Sequence, residues 1–203
     1  MKKYFLITAL IIFFTACQKG IEPFDDTGST STGNNIKGTW NFVSLTGNTQ
    51  TTAEYTDSGI DYKTISKSNY VSTNNSGTIT FGDSTLSSAN ISYKVSSEVA
   101  GFDYQNDILI DSTQIPFNIT VDSSNSSGIY KLIGSDSIYF PQGTFISFSG
   151  STTQAAPAGG KININGNMLT ITQLVNKDTT QQIAGIPYRT IETGTFNILL
   201  QKQ

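Results

Sequence analysis

The stretch IKGTWNFVSL, residues 36–45, decides the fold. Trp40 and Phe42 alternate with Asn41, and the same alternation places Val43 and Leu45 on the opposite face. Period-two alternation is the mark of a strand with one side buried and one side wet. Outward from this point the theme recurs to the C-terminus. Ile79 and Phe81 share a face in GTITFG (77–82), and Ile91, Tyr93 and Val95 share one in NISYKV (90–95). Phe117, Ile119 and Val121 follow in PFNITVD (116–122), then Tyr130 with Leu132, and Ile138 with Phe140. Ile162 and Ile164 lead to Leu169 and Ile171, and Phe196, Ile198 and Leu200 close the chain. No convincing amphipathic helix interrupts the series.

Turn residues separate these runs. Asn165-Gly166 stands between two alternating segments, and both residue types tolerate positive φ, so a tight hairpin is expected there. Gly134 has the same role in KLIGSDSIYF (131–140). The longest segment without a β pattern is SGSTTQAAPAGGK (149–161), read as a loop over an opening. DSSNSSG (122–128) reads as a turn; it lacks the alternating acidic ligands and terminal Glu of a calcium loop. Eight to ten strands fit residues 36–203, long enough for one domain with a sizeable core. The expected fold is all-β and antiparallel: an up-and-down β-barrel or, alternatively, a two-sheet β-sandwich.

The segment before the domain has a different character. Lys2 and Lys3 precede an apolar run from Tyr4 to Phe14, which ends in Phe14-Thr15-Ala16-Cys17. That run is about half the roughly 20 residues a membrane span needs. Its order of basic start, short apolar middle and small residues is that of a secretory signal. The quartet 14–17 resembles a bacterial lipobox, with Phe14 where Leu is usual. The resemblance implies cleavage after residue 16, acylation of Cys17 with palmitate-type chains, and anchoring to the outer membrane, on its periplasmic face or the cell surface. Cys17 is the only cysteine, so no disulfide can staple the fold. Residues 18–35, QKGIEPFDDTGSTSTGNN, read as a flexible tether whose ends lie roughly 25 Å apart.

Composition narrows the function. Without residues 1–16, ten of the 12 basic residues remain against 15 acidic ones, a net charge of −5. No basic patch exists, and a nucleic-acid partner is not expected. There is no histidine, which removes Ser-His-Asp and Cys-His catalysis and imidazole-based zinc sites. Asp103, Asp107 and Asp111 form the best carboxylate group, but Asp107 and Asp111 lie at opposite ends of one strand and read as solvated strand ends. No enzyme activity, metal or cofactor is expected.

Gly38-Thr39-Trp40 at the start of a first strand resembles the Gly-x-Trp signature of lipocalins. GIYKLIGSDSIYF (128–140) and KININGNMLTI (161–171) are similar to stretches of the lipocalin-like domains of Bacteroidetes lipoproteins. The resemblance implies that Trp40 closes the base of a barrel and that a basic residue packs across it, either Arg189 or Lys202. It further implies a lipid-anchored envelope protein whose barrel holds a small apolar or amphipathic ligand. The inward candidates are Phe81, Tyr93, Phe117, Tyr130 and Tyr139. Tyr139 is opposite in parity to Ile138 and Phe140, so one of the two sets faces out. The competing expectation is an envelope interaction or glycan-binding module in which the rings simply fill the core.

Overall fold

The computed structural model describes residues 36–143 and 158–203. The signal segment, Cys17, the tether and positions 149–157 of the expected loop lie outside the described residues. The rest is all-β and antiparallel, with no helix among the described residues. Ten strands follow in order: β1 (Gly38–Asp57), β2 (Ile60–Val71), β3 (Thr73–Phe81), β4 (Thr85–Gln105), β5 (Ile108–Ile129), β6 (Lys131–Ile133), β7 (Ser137–Phe140), β8 (Ala158–Asn165), β9 (Met168–Ile183) and β10 (Ile186–Lys202).

Apart from β2–β3 and β5–β6, consecutive strands pair, and β10 returns to pair with β1. Two of the divisions are interruptions of a longer course. β2 and β3 both pair with β1 and are joined at Ser72. That serine keeps the ladder intact: its N–H donates to the Leu45 carbonyl at 2.8 Å, and the Leu45 N–H donates to its hydroxyl at 2.7 Å. β5 pairs β4 and, beyond Tyr130, continues as β6 to pair β7. The chain thus makes an up-and-down meander that curls into a partial ring, left open where β5 has β4 as its only paired neighbour.

The core fills one end of this ring. Trp40, Phe42, Leu45, Ile79, Phe81, Ile91, Tyr93, Ile138, Phe140, Leu169, Ile171, Ile198 and Leu200 are all buried. Burying each such side chain contributes about 1.5–3 kcal/mol. The alternation predicted for Ile79/Phe81, Ile91/Tyr93/Val95 and Ile138/Phe140 is the one observed. Leu45 is the exception. A β-bulge between Phe42 and Ser44 inserts one extra residue, Val43, and so returns Leu45 to the face of Trp40 and Phe42.

Other expectations are corrected. Leu132 is exposed, although it lies opposite the buried Ile138. DSSNSSG (122–128) is not a turn but part of β5, paired to β4 through two register shifts. Residues 158–161 open β8 rather than belonging to a loop. The β8–β9 hairpin turns at Gly166-Asn167, one residue later than expected, with Gly166 at φ +60°. Three further hairpins turn tightly at Ser58-Gly59, Asn106-Asp107 and Ala184-Gly185, each with both residues at positive φ. That is the geometry whose twist matches the flanking strands.

Candidate binding surface

The strands run far beyond the core. β1 is 20 residues long, about 65 Å, yet its buried apolar side chains all lie between Trp40 and Leu45. Its remaining half, together with β2, the late part of β4, the early part of β5, the late part of β9 and the early part of β10, forms a sheet with side chains half-buried or exposed on both sides. Because β1 has no further register shift, residues 47, 49, 51, 53 and 55 continue the face that Leu45 presents to the core.

That core-side face is lined row by row. At its far end Tyr55 lies opposite Tyr62 on β2 and Tyr188 on β10. The three rings stack, with centroids 4.9 Å apart for Tyr55–Tyr62 and 5.6 Å for Tyr55–Tyr188. Mutual burial pushes the phenols of Tyr55 and Tyr188 above their ordinary range. The next row carries Thr190, Ala53, Thr64 and Asp103, and the Thr64 hydroxyl donates to the Asp103 carboxylate at 2.7 Å. Glu192, Thr51, Ser66 and Gly101 follow. At the boundary with the core, Tyr70 packs edge-on to Phe117 at 6.0 Å and lies across Gly47, where a Cβ would come within 2.4 Å of its ring. The surface is therefore a floor of small hydroxyl side chains between an aromatic row and an aromatic rim, with the three carboxylates of Asp103, Asp111 and Glu192 on it and Lys177 opposite Glu192.

The base of the ring is built differently. Trp40 donates its indole N–H to the Ile36 carbonyl at 2.7 Å, and Lys202, its register partner, holds its ammonium 5.2 Å from the ring centroid. The same ammonium donates to the Lys37 carbonyl at 3.2 Å. Gly38 sits at φ +115° beside the Lys202 stem. Of the two basic candidates only Lys202 is at Trp40. Arg189 lies thirteen residues earlier on the same strand, about 40 Å away, and is paired with Asp178 and Glu54.

The predicted ligand-contacting rings do not come together around a space. Phe81 and Tyr130 meet edge-on at 5.4 Å, and Tyr93 meets Phe42 at 5.8 Å. Tyr130 further donates its hydroxyl to the Gly82 carbonyl at 2.6 Å. Phe117 is half-buried at the rim. Tyr139 is on the outer face, since its neighbours Ile138 and Phe140 take the core side. Two open hollows of about 500 and 630 Å³ are lined by other residues, the first around Thr85 and Ser127, the second around Lys67 and Gln114.

The structure also assembles pairs that the sequence order hid. Asp103 lies directly opposite Asp111 across β4–β5, whereas Asp107 is in the turn and pairs with Lys63. Gln173 is buried on the core side, opposite Phe196, and its amide N–H group has no hydrogen-bond partner among the described residues. Neither signal was available from spacing along the chain, because both arise from cross-strand register. No family model matches the chain, and no curated protein or solved structure matches it. The class that the fold and surface define is an all-β antiparallel meander with a packed base and an open aromatic face.

Proposed function

We propose that this protein is a lipid-anchored binding module of the cell envelope that engages a glycan chain on the core-side face of its distal sheet. The observation that carries the reading is the Tyr188–Tyr55–Tyr62 row standing over a floor of Thr and Ser hydroxyls and the Asp103 and Glu192 carboxylates. Hydroxyl-rich ligands are recognised by such a mixture of aromatic edges and short hydrogen-bonding groups. The face is open, which suits a chain rather than an enclosed small molecule. The absence of histidine from the sequence fits binding rather than turnover.

Anchoring rests on Cys17 at the end of the short apolar segment. Several acyl chains, at about 0.8 kcal/mol per buried methylene, would hold the mature chain firmly to the outer membrane. Cys17→Ala is expected to release the protein from the membrane fraction. Binding is tested by probing a glycan array with the full chain and with Tyr55→Ala. Glycans retained by the parent and lost by the variant support the reading; equal retention, or no glycan bound, overturns it.

A second reading has its own observation. The unpaired Gln173 amide, buried level with half-buried Phe196 and near the Tyr70–Phe117 rim, offers one donor among apolar surfaces. A small amphipathic ligand would place an acceptor there and its apolar part on the rim. Native mass spectrometry of protein purified from its host distinguishes the two: a retained lipid-sized ligand, lost in Gln173→Leu, favours the rim.

A further inference from the structure

The ladder that joins β4 to β2 and β3 is not continuous. Pairing of β2 with β4 ends where Ser68 meets Val99, and pairing of β3 with β4 begins where Thr73 meets Lys94. Over residues 69–72 and 95–98 the pairing lapses, and the Ser97 hydroxyl donates to the Asn69 carbonyl at 2.7 Å where a ladder bond would stand. An open hollow of about 630 Å³ lies over this seam, within the roughly 300–1,000 Å³ of small-molecule sites. Lys67, Ala100 and Gln114 stand side by side in it, in the row of Gln50. That row is one residue out of phase with Thr49, so it lies on the outer face, opposite the Tyr188–Tyr55–Tyr62 surface. Lys67 and Glu98 both line the hollow, both are exposed, and neither forms an ion pair among the described residues. The Lys67 ammonium is instead held 5.9 Å from the Phe102 ring centroid, at the end of the hollow away from Glu98.

We propose that this hollow binds a short zwitterionic peptide, laid along β4 with its carboxylate on Lys67 and its ammonium on Glu98. The spacing sets the length of the ligand. Glu98 and Phe102, beside which the Lys67 ammonium sits, are separated by four positions on one strand, about 13 Å. Charge-assisted hydrogen bonds of about 2.8 Å at each end leave roughly 7 Å, the span of two extended residues. A single amino acid is too short to reach both charges. Between the ends, Ala100 leaves the space that a peptide backbone needs. Asn69 and Gln114 flank it on either side with amides that can both donate to a peptide C=O and accept from a peptide N–H. Phe102 gives the C-terminal side chain of the ligand an apolar neighbour. The opposed charges select against other ligands: a neutral sugar leaves both unpaired, and a polyanion is repelled by Glu98. The inference is independent of what the core-side face binds, because the two sites lie on opposite sides of the sheet.

The test is calorimetric titration of the full chain with L-alanyl-L-leucine, its N-acetylated form, its C-terminal amide, and free leucine. The free dipeptide is expected to bind with a dissociation constant below about 1 mM, and the two capped forms and leucine at least about tenfold more weakly. Lys67→Met and Glu98→Gln should each lose that tenfold preference at their own end of the ligand, with the circular dichroism spectrum and melting temperature unchanged. Ala100→Leu should abolish binding by filling the centre of the hollow. Tyr55→Ala, on the other face, should bind the dipeptide as the parent does. No binding at about 10 mM dipeptide, equal binding of the capped forms or of leucine, full affinity in both Lys67→Met and Glu98→Gln, or loss of binding in Tyr55→Ala would each overturn the proposal. Should Ala100→Leu fail to fold, the two charge variants, whose side chains are exposed, still decide the matter.

Discussion

The two halves of β1 are one strand in two environments. From Trp40 to Gly47 it is the wall of a packed core; from Asn48 to Asp57 it is half-exposed on both faces. The base is held by apolar burial in every direction across the ring. Among the described residues the distal half has no second layer, and its order rests on continuous ladders, tight turns and cross-strand pairs of about 0.2–1 kcal/mol each. The difference teaches that pairing can carry strands well past the core that nucleates them, provided the sequence supplies Thr, Tyr and Ile, which suit a pleated surface. It also implies unequal stability: the distal sheet should open sub-globally while the base stays closed.

The largest expected effect breaks the base. Trp40→Ala removes the most voluminous fully buried side chain, its hydrogen bond to Ile36 and the surface beneath Lys202. A loss of about 3–5 kcal/mol is expected in denaturant unfolding, with the whole domain destabilised together. A loss under 1 kcal/mol would mean that the base does not control the fold.

The boundary between the halves gives the next effect, through pH. Burial pushes the Tyr70 phenol up to about 12. Its folded value lies above the unfolded value near 10, so the stability it contributes is complete below pH 10 and is lost as pH rises through 12. About 2–3 kcal/mol should disappear over that window. Tyr70→Phe should reduce this alkaline decline, the buried Tyr93 phenol, which burial pushes up further, keeping its own share, and a decline of the same size in the variant would assign it to other groups. Ultraviolet titration should meanwhile show the rim phenol ionising last among the partly exposed tyrosines.

Tyr55→Ala probes the open half. It removes two stacked contacts and leaves the core untouched, so about 1–2 kcal/mol is expected, and it should be local. Hydrogen exchange should accelerate in residues 48–66 and 186–194 while the amides around Leu45 and Ile198 keep their protection. Uniform acceleration would erase the distinction between the halves.

The base was the legible half. Alternating Ile, Phe, Tyr and Leu revealed its strands because one face is dry, and the number of strands followed. The distal halves of β2, β4, β5, β9 and β10 were not legible, since NTQTTAEYTD-like stretches carry no apolar alternation when neither face is buried. DSSNSSG misled for the same reason: serines pair in a ladder as well as they turn. The bulge at Val43 left no sign in a single strand, as it is a property of the β1–β10 pair. Trp40 and its basic partner were readable from position, and the geometry chose Lys202. The Tyr188–Tyr55–Tyr62 row was not readable, because three residues from three strands become neighbours only through register.

The smallest expected effect has the opposite sign and arises from the same register. Asp103 and Asp111 stand directly opposite each other on the open sheet, two carboxylates with no cation between them among the described residues. Like charges so placed repel. Nothing in the base contains a comparable conflict among the described residues, so its presence marks the distal half as a region not optimised for stability. Asp111→Asn keeps an oxygen for the Ser112 N–H, which Asp111 accepts at 2.8 Å, and removes the repulsion. A gain of about 0.2–1 kcal/mol is expected at low salt and neutral pH. Salt should shrink that gain, because an exposed pair is screened within about 10 Å at 0.1 M. A gain that persists unchanged at 1 M salt would point to backbone or hydrogen-bond effects at the Asp103–Tyr104 register shift. A loss would mean that the two carboxylates are held together for a purpose, and would make them the first residues to examine on the binding face.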